Sequence, residues 1–128
     1  MPVCPERVRA ILSKVDPGRQ RSGWPVGLRD GALLSLVAAG LSAEEIAELH
    51  ASSITMERGN LLVEIRRHGM IWRVVLPMDL GASLLAWLTE RRLWAVPAPV
   101  ITGPQGPLSP MAIHQVLYRY RQQIGACE

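Results

Sequence analysis

Phenylalanine is absent from the 128 residues, and the only lysine is Lys14. A core built without phenylalanine must take its bulk from leucine, methionine and the four tryptophans, and almost all of the positive charge must come from arginine. The two cysteines, Cys4 and Cys127, stand near opposite ends with no CxxC pairing and no adjacent histidine cluster. That excludes a zinc site or a disulfide framework and predicts reduced, structurally minor thiols. No apolar run approaches the roughly 20 residues a membrane span requires. The opening MPVCPERVRAIL has proline and glutamate where an export signal carries a basic start and an apolar stretch. The expectation is a cytoplasmic protein without membrane association. No phosphate loop, glycine-rich dinucleotide turn, metal-ligand spacing or Ser/His/Asp arrangement can be picked out, so no cofactor and no metal are expected.

What is present fits one domain with a substantial core, since domains of about 100 to 150 residues are the commonest size. Hydrophobic residues make up 48% and charged residues 20%, an ordinary globular balance. The net charge of +3 is modest, but its arginine bias suits planar, bidentate contacts to phosphate or carboxylate.

Along the chain, residues 5–15 read as a short helix and 16–25 (DPGRQRSGWP) as a loop or arm carrying Arg19 and Arg21. From Val26 the apolar residues recur at helical spacing until Gly40 stops the helix. Ser42 with Glu45 forms a capping-box pattern that opens a second helix over about 43–50. Between Ser53 and Pro77 the pattern shifts to strands. A turn at 57–60 and another at His68-Gly69 separate LLVEIRR from MIWRVVLP, which predicts a three-stranded antiparallel meander. Asp79 is the expected cap of a long helix over 80–94, followed by a Pro/Gly-rich stretch over 95–108. Ser109 and Pro110 open a last helix over 111–124, closed by Gly125. The fold class is therefore α+β, mainly helical with a small three-stranded antiparallel sheet. An N-terminal helix and arm (1–25) precede the main domain (26–128).

LRDGALLSLVAAGLSAEEIAEL, with Asp30, Ala32, Leu33, Leu34, Gly40, Leu41, Glu45, Ile46 and Leu49 in step, and the hairpin ending RVVLP together resemble the tyrosine recombinase (phage integrase) family. The resemblance covers about residues 27–124 and implies the N-terminal part of that family's catalytic core. It also implies a departure from it. The family transfers a phosphoryl group to a tyrosine, with two arginines on the scissile phosphate and a hairpin lysine as general acid. Ser42 occupies the place of the first arginine, directly after Gly40-Leu41, and a neutral hydroxyl cannot replace a guanidinium. His68 aligns with the hairpin lysine, where a solvent-exposed turn role is favoured over proton donation. The second arginine and the nucleophile would follow Ile124, so the resemblance implies a core truncated before them, with Tyr118 and Tyr120 in packing or phosphate-contact roles.

The favoured expectation is a catalytically inactive, recombinase-like accessory protein, not an enzyme, binding DNA weakly through its phosphates or binding another recombinase subunit. The candidate contacts are Arg66, Arg67, His68 and Arg73 on the hairpin with Arg119 and Arg121 on the last helix. A solvated charged face is the plainer reading, and for Arg91 and Arg92 at a helix end it is preferred. The alternative is a protein-interaction or homo-oligomerising module, with Met70, Ile71, Trp72 and Trp94 as an apolar patch. A helix-turn-helix regulator is disfavoured, because Glu57 falls at an apolar position and Gly59-Asn60 would cut the recognition helix short.

Overall fold

The computed structural model describes residues 5–120. Cys4, Cys127, Arg121 and the expected helical turn over 121–125 lie outside the described residues. Five helices and two small sheets run in the order α1 (Pro5–Lys14), α2 (Val26–Ala38), α3 (Ala43–Glu48), β1 (Ile54–Glu57), β2 (Asn60–Arg67), β3 (Met70–Leu76), α4 (Met78–Glu90), β4 (Thr102–Gly103), β5 (Gly106–Pro107) and α5 (Pro110–Tyr118). The class is the expected α+β, with β1, β2 and β3 forming an antiparallel meander in sequence order.

Both hairpins close on left-handed pairs. Arg58-Gly59 and His68-Gly69 have φ of 52° and 80°, and 54° and 74°, the geometry whose twist matches that of the flanking strands. Strand alternation then places Ile54, Leu61, Val63, Ile65 and Leu76 on the buried face. The opposite face carries Glu64, Arg66, Ile71 and Arg73 into solvent. Helix α2 is buried on nearly every side and packs against α4, where Ser35 Oγ donates to Leu80 O at 2.7 Å. Helix α1 lies across both, anchored by Val8 and Ile11 against Leu34. Trp87, fully buried on α4, donates its indole N–H to Val100 O at 2.7 Å and thereby ties the Pro/Gly-rich stretch to the core.

Helix ends account for most differences from the sequence expectation. Gly40 (φ 93°) terminates α2 as expected, with the amides of Gly40 and Leu41 donating to Val37 O and Leu36 O. Asp79 does not cap α4. The helix starts at Met78 after Pro77, and Asp79 instead accepts from Arg9 Nε at 2.7 Å, linking α1 to α4. Helix α4 stops at Glu90, four residues short of Trp94, because Arg92 turns left-handed (φ 54°) and the amides of Arg92 and Leu93 bond back to Thr89 O and Leu88 O. This is a glycine-type helix stop made by an arginine, which is why no glycine signalled it. Helix α3 ends at Glu48 and not at His50, which bridges to Pro99. Helix α5 gives way at Tyr118 to a tight turn through Arg119 and Tyr120. Residues 51–53 make one 3-10 turn before β1, so no recognition helix follows α3 and a helix-turn-helix is excluded there.

Candidate nucleic-acid interface

Ser42 sits at the N-cap of α3. Its hydroxyl accepts from Glu45 N at 3.2 Å while Glu45 Oε1 accepts from Ser42 N at 2.9 Å, the capping box read from the sequence. The serine oxygen is thus engaged in holding the helix start. A guanidinium nevertheless reaches this corner from the sheet. Arg67, at the end of β2, donates from Nε and Nη2 to the two oxygens of Glu45 at 2.8 and 2.9 Å, and from Nη2 to Gly40 O at 3.4 Å. The fork-to-fork hydrogen bonds from Arg67 hold the Glu45 carboxyl at about 2, against a burial effect that raises it. The Arg67 guanidinium is correspondingly raised by the same bonds. Arg67 therefore staples β2 to the α2–α3 corner, and its charge is already met by a carboxylate.

The remaining hairpin candidates are free of such ties. Arg66, His68 and Arg73 are exposed, with His68 at the tip of the turn and Arg73 directly across from Glu64 in the register. Arg66 also lines an open cleft of about 410 Å³ together with Glu45, Glu48, His50, Glu64 and Ile71. Three glutamates, Glu45, Glu48 and Glu64, line that cleft beside it. Arg119, exposed at the end of α5, is not part of this surface. It lines a separate cleft with Arg21 and Arg29. Five of the six arginine and histidine candidates thus divide between two places, and the sixth, Arg121, lies outside the described residues.

Sequence reasoning missed two features. The first is Asp30, fully buried near the start of α2, whose Oδ1 takes Arg29 Nε and Nη2 at 3.3 and 3.1 Å. Its Oδ2 takes Arg19 Nη2 at 3.2 Å and the Tyr120 hydroxyl at 2.8 Å. One carboxylate joins the 16–25 arm, α2 and the end of α5. The available signal was an Arg-Asp pair inside an otherwise apolar helix, where ionised groups need partners. Burial first, and then the hydrogen bond to Asp30, push the Tyr120 hydroxyl above its ordinary range. The second is Val75, which at 55% exposure adds to the expected β3 residues Met70, Ile71 and Trp72, themselves 62%, 57% and 49% exposed. Trp94 does not join them. It packs against the core and bonds Thr89 Oγ1 at 3.2 Å.

Among the described residues no group of three or more His, Cys, Asp or Glu side chains is arranged to hold a metal, and no helix is long and apolar enough to cross a membrane.

No protein-family profile matches the sequence, and no curated protein does either. Among solved structures the fold is similar to that of the XerH site-specific recombinase bound to difH substrate in a pre-cleavage complex. The TM-score is 0.66 at 20% sequence identity, over 93% of this chain and 34% of that one. The fold is that of a tyrosine-recombinase-like domain, and the chain spans about a third of the recombinase's length.

Proposed function

We propose that this chain is a recombinase-like accessory protein that binds the DNA backbone without cutting it, alone or beside another recombinase subunit. The observation that carries the reading is the α3 corner. By its sequence resemblance, Ser42 stands where the family carries a phosphate-binding arginine, and its oxygen is bound to Glu45 N. The guanidinium that reaches into that corner, Arg67, is bound through Nε and Nη2 to the carboxylate of Glu45. A scissile phosphate placed there would find its charge unmatched, a loss on the order of 1,000-fold in rate. Contacts to DNA fall to Arg66, Arg73 and His68 on the hairpin and to Arg119 and Arg121 near the chain's end, with residues 26–128 as the recombinase-like unit and 1–25 as its arm. These side chains neutralise phosphates and read no bases, so affinity is weak and salt-dependent. Incubation with supercoiled plasmid tests the pair of claims together. The expected result is a mobility shift at low salt with the topology unchanged after deproteinisation. Relaxed or nicked product formed by the protein, and lost on substitution of its tyrosines, would overturn the non-cleaving half.

The exposed apolar side chains of β3, Met70 and Trp72 on one face and Ile71 and Val75 on the other, favour a second reading, a protein-docking or self-associating module, because exposed apolar surface marks interfaces. Ile71→Ser/Trp72→Ser separates the two. It abolishes concentration-dependent association in sedimentation if β3 is a docking face, and leaves DNA retardation intact if the arginines carry that role.

A further inference from the structure

A second cleft, of about 350 Å³, opens between the 16–25 arm, the β4–β5 turn and α5. Its walls include Arg21, Trp24, Arg29, Gln105, Gln115 and Arg119, and none of its lining residues is an aspartate or glutamate. The carboxylate that pairs with Arg29 is Asp30, which is fully buried and whose two oxygens already take Arg29, Arg19 and Tyr120. Arg29 is itself held rigid, with a side chain only 7% exposed. Its Nη1 makes no hydrogen bond among the described residues and stands beside Gly103, where an added Cβ would lie 3.9 Å from it. Trp24 presents a second unused donor. Its Nε1 is the one buried side-chain polar atom without a partner among the described residues. A fourth cation, Arg91, stacks over the Trp24 ring at 4.5 Å and adds positive charge on that side.

Unused donors and a surplus of guanidinium over carboxylate define the chemistry of what fits. The occupant accepts hydrogen bonds, carries negative charge and is small, since the volume is at the lower end of ligand-sized cavities. We infer that this cleft is a phosphate-binding site, with Arg29 Nη1 as the fixed donor and Arg21 and Arg119 closing on the group from the rim. It goes beyond the hairpin reading and uses none of its residues except Arg119. The phosphate can come from a DNA backbone or from a free phosphate monoester, and the chemistry of the cleft is the same for both.

The test is the indole N–H resonance of Trp24 in a nitrogen-15 spectrum, identified through its contact with Trp87 at 6.5 Å between ring centroids, while inorganic phosphate is titrated against a chloride control of matched ionic strength. The expected result is a saturable shift with phosphate alone. In Arg21→Gln/Arg119→Gln, two exposed positions whose loss leaves the core intact, the affinity drops about tenfold or more, as loss of charge-assisted hydrogen bonds requires. Arg66→Ala/Arg73→Ala leaves the phosphate response unchanged, so failure of the hairpin reading and failure of this one are separable. A short DNA duplex that displaces phosphate from the Trp24 signal assigns the site to backbone phosphate. A duplex that leaves the signal in place assigns it to a free phosphate monoester. An unmoved Trp24 signal, an equal response to chloride, or full binding by the double variant overturns the proposal.

Discussion

Replacing Asp30 with asparagine removes one charge from the interior and leaves a rigid guanidinium without its partner. Asp30 is 0% exposed and the Arg29 side chain 7%, so solvent cannot take over the role of the carboxylate. Breaking a buried ion pair from one side costs about 3 to 5 kcal/mol. Asparagine keeps one carbonyl oxygen for Arg29 or Tyr120, which places Asp30→Asn at the lower end, about 3 kcal/mol. With a urea m-value of about 1.5 kcal/mol/M for a domain of this size, the midpoint should fall by about 2 M. Urea unfolding followed by tryptophan fluorescence reads this directly. The companion Arg29→Met/Asp30→Leu removes both charges and should recover most of the loss, because a buried pair contributes little beyond an apolar filling of similar volume. A single variant within about 0.5 kcal/mol of the parent would refute the argument. It would mean that the cluster binding the arm to α2 and α5 is not held through this carboxylate.

Three further outcomes follow from the same geometry. Because the Glu45 carboxyl is lowered from 4.5 to about 2, its ion pair contributes stability that is complete above about pH 4.5 and lost as pH falls towards 2. Arg67→Ala should return the Glu45 carboxyl signal in a pH titration towards the ordinary value, and an unchanged titration would remove Arg67 as the cause. The Tyr120 hydroxyl is raised above 10.0, so its contribution is present below about pH 10 and lost as pH rises past it. Tyr120→Phe should delete the later tyrosinate absorbance step. Gly27→Ala should destabilise strongly or detach the arm, since an added Cβ at that position collides with the backbone carbonyl of Asp16. A thermal midpoint equal to the parent's would contradict that packing.

How far the sequence was legible divides along physical lines. Periodicity and turn chemistry found α2, the capping box at Ser42 and both hairpin turns, because each is written in neighbouring residues. Asp79 was misread because its local position suits a cap, whereas its partner, Arg9, lies 70 residues away. The end of α4 was missed because an arginine adopts the left-handed stop that glycine normally signals. For the candidate interface, the exposure of Arg66 and Arg73 agrees with their place in the strand pattern. The engagement of Arg67 with Glu45 and the gathering of Arg21, Arg29 and Arg119 around one cleft depend on tertiary contacts between distant segments. No spacing rule within one element reveals those.

The central claim, that the hairpin arginines hold DNA by its phosphates, is tested most directly by fluorescence anisotropy of a labelled duplex over a salt series, with the parent beside Arg66→Ala/Arg73→Ala. The account predicts binding at low salt whose log-affinity falls linearly with log-salt, and a slope flatter by about 0.9 for each phosphate contact removed in the variant. No binding at low salt, or an identical slope in the variant, would contradict it.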